Sequence, residues 1–434
     1  MRYRLRQIPA LLRTPAGRIQ LRAGLRYRSW PVLSRLAVLY RQTLVRQTRT
    51  VAVVGSLGKS TTTRAVAAAL AVPLHPRFSY NCFSGVALAV LRTRPGQRYA
   101  VVEVGIDKPG QMTRYAQVVR PDIVVVTSIA SEHHRSLHTL ATTRHEKAEM
   151  VRALPDHGIA VLNGDDENVL WMRSQTRARV VTFGLGEGND VRASDVHLDW
   201  PRGMRFRLHV GGHTRTLAVR LLGQHMLRPL LAAVAVAHAE GLPLDRIVAP
   251  LEQLRPTPGR LEPVCLARDI WILRDDQKAA LETVHTALDV LAQIPARRRL
   301  VVLGEVTEPP GKQSQIYHDI GVRLGSVASL AVMLARNRSR RSYTAGAVRS
   351  GMPRSSLLDA KGSTRTATAM LREVLAPGDA VLLKARLDQH FERIVLALLG
   401  RNVQCDIRQC HIRRVSCAEC PMLEPGWHGS TPVT

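Results

Sequence analysis

Residues 51–63, Val51-Ala-Val-Val-Gly-Ser-Leu-Gly-Lys-Ser-Thr-Thr-Thr63, narrow the possible folds of this chain more than any other stretch. A run of mostly β-branched residues enters a turn containing Gly55 and Gly58. An alanine-rich segment, Arg64 to Leu70, then reads as a helix. Strand, glycine turn and helix in that order form a cradle for a nucleoside triphosphate. Backbone N–H groups of the turn and of the helix start face the phosphates, a lysine (Lys59) reaches their oxygens, and a hydroxyl (Ser60) suits Mg²⁺. The loop is of a short form, Gly55-x-x-Gly58-Lys59-Ser60, because Val53 stands where the longer pattern has its first glycine.

The rest of the chain repeats this rhythm. Strands are expected at Thr50–Val54, Tyr99–Val104, Asp122–Thr127, Ile159–Leu162 and Val180–Phe183, with helices at Lys59–Leu70 and Thr142–Leu154. Residues 184–222 alternate in short runs around Gly211-Gly212 and read as a small antiparallel appendage. Leu227–Glu240 reads as a helix ended by Gly241. The turn-rich Pro256-Thr-Pro-Gly259 marks a boundary, and a second αβ series follows. Its strands are expected at Ile270–Leu273, Leu300–Leu303, Ser329–Leu334 and Ala380–Lys384, and its helices at Ala279–Gln293, Ser314–Gly325, Arg365–Leu375 and Leu387–Leu399. The fold class is therefore α/β: a P-loop ATPase domain with a mostly parallel sheet (50–255) and a Rossmann-like domain (256–400). A basic, partly helical segment (1–49) precedes them and a cysteine-containing tail (401–434) follows.

The net charge of +28 suits an anionic partner, but the excess is spread along the chain and almost all of it is arginine. No nucleic-acid motif accompanies it, so nucleic acid is not favoured. Residues 1–49 hold no acid, and Leu33, Leu36, Tyr40 and Leu44 recur at helical spacing among Arg35, Arg41 and Arg46. That helix is expected to pack on its own domain, with contact to an anionic membrane surface as the alternative. No apolar run approaches the ~18 residues of a membrane span, and no signal-peptide core stands out, which points to the cytoplasm.

Several motifs in this order resemble the Mur ligases, ATP-dependent enzymes that join a carboxylate to an amine in building the peptide stem of bacterial cell wall. The likeness runs over about residues 50–400 and is nearest to the branch that adds D-alanyl-D-alanine to a UDP-muramoyl-tripeptide. It rests on Gly55–Thr61 (with Ser56), Asn81 before an apolar segment, Glu103 in Val-Val-Glu-Val-Gly, His133 in Ser-Glu-His, Lys147 in Glu-Lys-Ala-Glu, Arg260 in Pro-Gly-Arg, and Asp276 and Lys278 in Asp-Asp-Gln-Lys. Lys384-Ala-Arg386 sits where the family has a Lys-Gly-Ser-Arg loop. The resemblance implies catalytic Lys59, Glu103, His133 and Lys147, and nucleotide contacts from Asn81, Arg260, Asp276 and Lys278. It also implies two Mg²⁺ ions held by Ser60, Glu103, His133 and a carbamate on Lys147. The histidine assignment competes with His134 and His138. Two departures stand out. The family's N-terminal UDP-binding domain is expected to have no counterpart in the 49 residues before the loop, so a partner protein becomes a candidate anchor for substrate. Met226 and Pro229 replace both asparagines of the family's Gly-x-His-Asn-x-x-Asn motif.

The chain has only seven lysines among 62 basic residues, and four of them (Lys59, Lys147, Lys278 and Lys384) stand at motif positions. A carbamate needs an amine that can lose its proton, which arginine does not supply. Cys82 and Cys265 read as small core residues. Cys405, Cys410, Cys417 and Cys420, with His411 and His428 near, contain one Cys-x-x-Cys; a metal half-site, free thiols and a redox pair all remain open. The expected activity is amide ligation through an acyl phosphate on a cell-envelope precursor. The alternatives are ligation of another peptide or poly-amino-acid, or a degenerate nucleotide-binding subunit.

Overall fold

The computed structural model describes residues 8–13, 15–75, 78–130, 137, 139–410, 412, 416–420 and 422–423. The chain divides into two compact units, one of Arg26–Arg255 and one of Pro256–Thr434 together with Met1–Leu25.

The first unit is built on an eight-stranded sheet of β1 (Arg49–Val54), β2 (Tyr99–Glu103), β3 (Ile123–Val126), β4 (Ile159–Asn163), β5 (Arg179–Gly184), β6 (Val191–Asp199), β7 (Gly203–Val210) and β8 (His213–Val219), in spatial order β2-β1-β3-β4-β5-β6-β7-β8. The strands are parallel from β2 to β6 and antiparallel beyond. Strand β1 is buried on both faces, as helix-covered parallel strands are. Val51 and Val53 pack with the helices Lys59–Ala69 and Leu227–Ala239, while Ala52 and Val54 pack with Val86, Met112, Tyr115 and Met150 on the other side. Residues 184–222 are not a separate appendage. Strand β6 continues the sheet by pairing with β5 at Phe183–Val191 and Gly184–Arg192, and the Gly211-Gly212 hairpin follows, both glycines having positive φ. Alternating residues identify such strands, but which edge they join is a non-local outcome.

The helix Trp30–Gln42 packs on this unit through a face rotated from the expected one. Ala37 and Arg41 are buried, whereas Leu36 and Leu44 are exposed. Arg41 donates to the carbonyls of Val45 (2.8 Å), Arg46 (3.2 Å), Val119 (3.3 Å) and Arg120 (3.2 Å) and pairs with Asp122 at 2.8 Å. An arginine that satisfies four backbone carbonyls thus occupies the buried face where apolar side chains were expected.

The second unit carries a six-stranded sheet of β9 (Glu262–Leu266), β10 (Ile270–Asp275), β11 (Arg298–Leu303), β12 (Leu330–Met333), β13 (Leu357–Asp359) and β14 (Asp379–Lys384), in order β13-β12-β11-β14-β10-β9. All neighbours are parallel except β9 and β10. Cys265 lies on the edge strand β9 and is exposed, and Cys82 is half-buried, so neither is a core residue. Among the described residues no helix is long and apolar enough to cross a membrane.

Candidate active site

Open α/β sheets bind ligands at the carboxyl ends of their strands, where the strand order reverses. In the first unit that point is the end of β1, between β2 and β3, and the glycine loop occupies it. Gly55 has φ 137°, and a Cβ there would sit 2.0 Å from Thr127 Oγ1, so only glycine fits. Gly58, at φ 84°, starts the helix Lys59–Ala69. Lys59 Nζ donates to the carbonyls of Gly55 (2.8 Å) and Ser56 (2.9 Å), folding its chain over the loop. The segment after β3 holds the loop from the other side. Ser56 N donates to Ser128 O (2.7 Å), Leu57 N to Ser128 Oγ (3.1 Å), and Thr127 Oγ1 to Leu57 O (2.6 Å).

Two further sequence-predicted residues, Glu103 and Lys147, reach this loop, and Asn81 is joined to it through Glu103. Glu103, the last residue of β2, is buried; its Oε1 accepts from Ser60 Oγ at 3.2 Å and from Asn81 Nδ2 at 2.7 Å. Asn81 fits there because residue 105 is glycine, where a Cβ would come within 2.9 Å of its amide. Lys147 lies on the helix Leu140–Arg152, which Thr139 caps by accepting from Thr142 N at 3.0 Å. The Lys147 side chain is 2% exposed and its Nζ donates to Ser56 Oγ at 2.8 Å. His133, with its competitors His134 and His138, lies outside the described residues.

One atom in this cluster is out of balance. Glu103 Oε2 is buried and has no hydrogen-bond partner among the described residues. A bare carboxylate oxygen is costly in such a place, and it lies beside a serine hydroxyl at the start of a helix. Hard oxygen donors of this kind fit Mg²⁺, so Ser60 and Glu103 are the residues that would hold it.

In the second unit, the predicted Arg260, Asp276, Lys278 and Lys384 gather at the carboxyl ends of β10 and β14, where Asp275 and Lys384 are register partners. Lys384 Nζ lies 2.5 Å from Asp275 Oδ2 and donates to Lys278 O at 2.9 Å. Burial lowers the Lys384 pKa; Asp275 opposes the shift and Arg260 adds to it. Asp276 Oδ1 accepts from Arg274 Nε at 3.0 Å. Burial, with Glu392 and Asp275 adding to it, pushes the Asp276 carboxyl up to about 6 against the pull of Arg274. The replacements at the family's asparagine positions are packed. Pro229 is buried in the first turn of the helix Leu227–Ala239, where a missing N–H costs nothing, and Met226 packs on the apolar core.

Sequence reasoning missed the residues that hold these sites in shape. Besides Thr127 and Ser128, Asn163 donates to Thr127 O at 2.8 Å, and Asp166 accepts from Ile129 N at 2.8 Å. In the second unit, Glu305 follows β11 and accepts from Tyr317 Oη (2.6 Å), Ser339 Oγ (3.1 Å) and Arg336 N (2.6 Å). A polar residue at or within two positions of the carboxyl end of an apolar strand is the common signal, shared by Thr127, Asn163 and Glu305.

A model of the Mur ligase middle domain matches residues 53–237. The UDP-N-acetylmuramoyl-tripeptide–D-alanyl-D-alanine ligase of Escherichia coli is 32% identical over 288 residues, covering 65% of this chain and 62% of that protein. The ligase of the same name from Mycobacterium tuberculosis is 31% identical over 379 residues, covering 81% of this chain and 73% of that one. Among solved structures, MurF from Acinetobacter baumannii superposes with a TM-score of 0.75 at 23% identity, covering 86% of this chain and 81% of that chain. The MurF ligase of Thermotoga maritima, solved in complex with ADP, gives 0.72 at 20% identity, covering 86% and 83%. With a parallel sheet, a short phosphate loop and these relatives together, the chain belongs to the Mur ligase family.

Proposed function

We propose that this chain is an ATP-dependent carboxylate–amine ligase that works in the cytoplasm on a peptidoglycan precursor. The curated relatives join D-alanyl-D-alanine to a UDP-N-acetylmuramoyl-tripeptide, and that pair is the proposed carboxylate and amine here. One observation carries the reading: Lys59, Ser60, Glu103 and Lys147 converge on one glycine loop, with a buried carboxylate oxygen left open beside it.

The reaction needs a better leaving group than hydroxide. A carboxylate oxygen attacks the γ-phosphorus and the bond to ADP breaks, giving an acyl phosphate. The amine then attacks the acyl carbon, phosphate departs and the amine gives up a proton. Most of the catalysis is positioning and charge neutralisation. The loop N–H groups and Lys59 bind the phosphates. Magnesium, when bound, neutralises phosphate charge; Ser60 and Glu103 would hold one ion, and Glu103, His133 and a Lys147 carbamate a second. The family resemblance assigns further nucleotide contacts to Asn81, Arg260, Asp276 and Lys278. Outside the site, the helix Trp30–Gln42 exposes Val32, Leu36 and Leu39 beside Arg35, a face suited to peripheral contact with an anionic membrane.

The test is phosphate release by the purified chain with ATP, the UDP-muramoyl-tripeptide and D-alanyl-D-alanine, repeated with a bacterial extract to reveal a partner that anchors substrate. Release that requires both substrates supports the ligase. Lys147→Ala should nearly abolish it, with partial rescue by a small added carboxylic acid; full activity in Lys147→Arg would exclude the carbamate. The replacement of both family asparagines by Met226 and Pro229 motivates a second reading, a nucleotide-binding subunit without turnover. Tight ATP binding with no release against a panel of carboxylates and amines would select it.

A further inference from the structure

Four of the six cysteines fall between residues 405 and 420. Residues 401–423 contain no strand and only one short turn of helix, Cys417–Glu419, among the described residues. Yet Cys405, Cys410, Cys417 and Cys420 all line one cavity of about 20 Å³ together with His390 and Arg393. That volume is close to one atom-sized guest. We propose that the tail folds around a thiolate-bound transition-metal ion of the zinc class, seeded by His390 and Cys417 and completed to four ligands by two of the thiols of Cys405, Cys410 and Cys420. This inference is independent of the ligase reading.

Several observations support it. His390 Nδ1 and Cys417 Sγ are 3.4 Å apart. Two ligands on a tetrahedral zinc ion, at Zn–N and Zn–S lengths of roughly 2.0 and 2.3 Å, are separated by about 3.5 Å. His390, Glu392 and Cys417 are buried and offer ligand atoms within 4.8 Å of one another. The Glu392 oxygens are occupied, one accepting from Ser416 Oγ at 2.6 Å and the other from Cys417 N at 2.8 Å. Glu392 therefore orients the turn bearing Cys417, and sulfur and imidazole are left as the donors, a soft set that selects zinc over magnesium.

His390 is 6% exposed, and its Nδ1 faces the Cys417 thiol, so the nitrogen that would bind the metal already points at a second soft donor. Arg393 completes the setting. Its side chain is buried and donates to Cys405 Sγ at 3.3 Å, and to the carbonyls of Gln389 (2.9 Å), His390 (3.2 Å), Cys405 (3.3 Å) and Ile407 (2.7 Å). A zinc ion with three thiolates and a neutral imidazole is anionic, and this guanidinium supplies the balancing charge. A segment without regular structure also needs some cross-link to hold one conformation, which a metal provides.

The full chain, purified without chelator, should carry about one zinc per molecule by elemental analysis. The Cys417→Ser/Cys420→Ser variant should lose it and Cys82→Ser/Cys265→Ser should retain it. Cobalt added to chelator-stripped wild type should give thiolate-to-metal charge-transfer absorption and the intense visible bands of tetrahedral cobalt, both altered in His390→Ala. The wild-type cobalt spectrum decides the matter even where a variant fails to fold. Absence of bound metal together with no cobalt–thiolate absorption would overturn the proposal. So would disulfides among Cys405, Cys410, Cys417 and Cys420 in protein isolated without reductant.

Discussion

Each of the two units places lysines and acids at the carboxyl ends of its parallel strands, yet the charges end up in opposite situations. In the first unit Glu103 keeps one buried oxygen unpaired among the described residues. In the second, Lys384 lies against Asp275, and Arg274 against Asp276, Glu262 and Glu392. A buried charge without a counter-charge is held at a cost and marks where a ligand belongs. A buried charge with one is part of the frame. Substitutions should follow this division, costing turnover in the first cluster and stability in the second.

Lys59→Ala offers the largest contrast. Turnover should fall by about a thousand-fold or more, while the thermal midpoint stays close to wild type. An unfolding transition lowered by many degrees would mean that Lys59 is itself structural. Glu103→Gln keeps an acceptor for Asn81 but removes the charge. Turnover should fall about a hundred-fold, and the Mg²⁺ concentration for half-maximal rate should rise. An unchanged Mg²⁺ titration would remove Glu103 from the metal site.

The paired charges should behave in the other way. Lys384→Met leaves Asp275 buried without its cation and should cost about 3–5 kcal/mol in denaturant unfolding. Arg41→Met makes the same point inside the first unit, removing the cation beside Asp122 and the donor to four carbonyls, and should cost roughly 2–4 kcal/mol. The smallest effect concerns pH. The Asp276 pKa is raised to about 6 in the folded chain, so folding takes up a proton there. The stabilisation is fully present below the unfolded-state pKa and is lost as pH rises through about 6. Between roughly pH 4 and 6 stability should therefore decline by at most about 3 kcal/mol, and Asp276→Asn should flatten that slope. An unaltered slope would assign it to another group.

Some of this arrangement is legible in sequence because it is local. A β-branched run, two glycines and an alanine-rich segment specify strand, turn and helix within twenty residues of each other. The proximity of Glu103 and Lys147 to the loop came through family resemblance, since no spacing rule connects residues so far apart. Thr127 and Ser128 are invisible for a similar reason. They grip the loop only because β1 and β3 are neighbours in the register Val54–Val126, a pairing fixed by the whole sheet. Arg41 escaped because an arginine in a basic stretch reads as a solvated side chain, and two of its carbonyl partners, Val119 and Arg120, come from a segment about eighty residues away. The cysteine spacing in the tail left thiols, metal and redox pairing equally open until His390, from a separate turn, was found lining the same cavity.

The Arg393 side chain has a consequence for how far the molecule can be shortened. It sits on the helix Glu392–Leu398, and three of its acceptors, the Cys405 carbonyl and Sγ and the Ile407 carbonyl, belong to the segment that follows. A chain cut after Gly400 would keep the guanidinium and lose those acceptors, leaving a cation facing an emptied apolar wall. The last stretch is thus a clasp on the helix before it, and trimming it should loosen the second unit from its end inward.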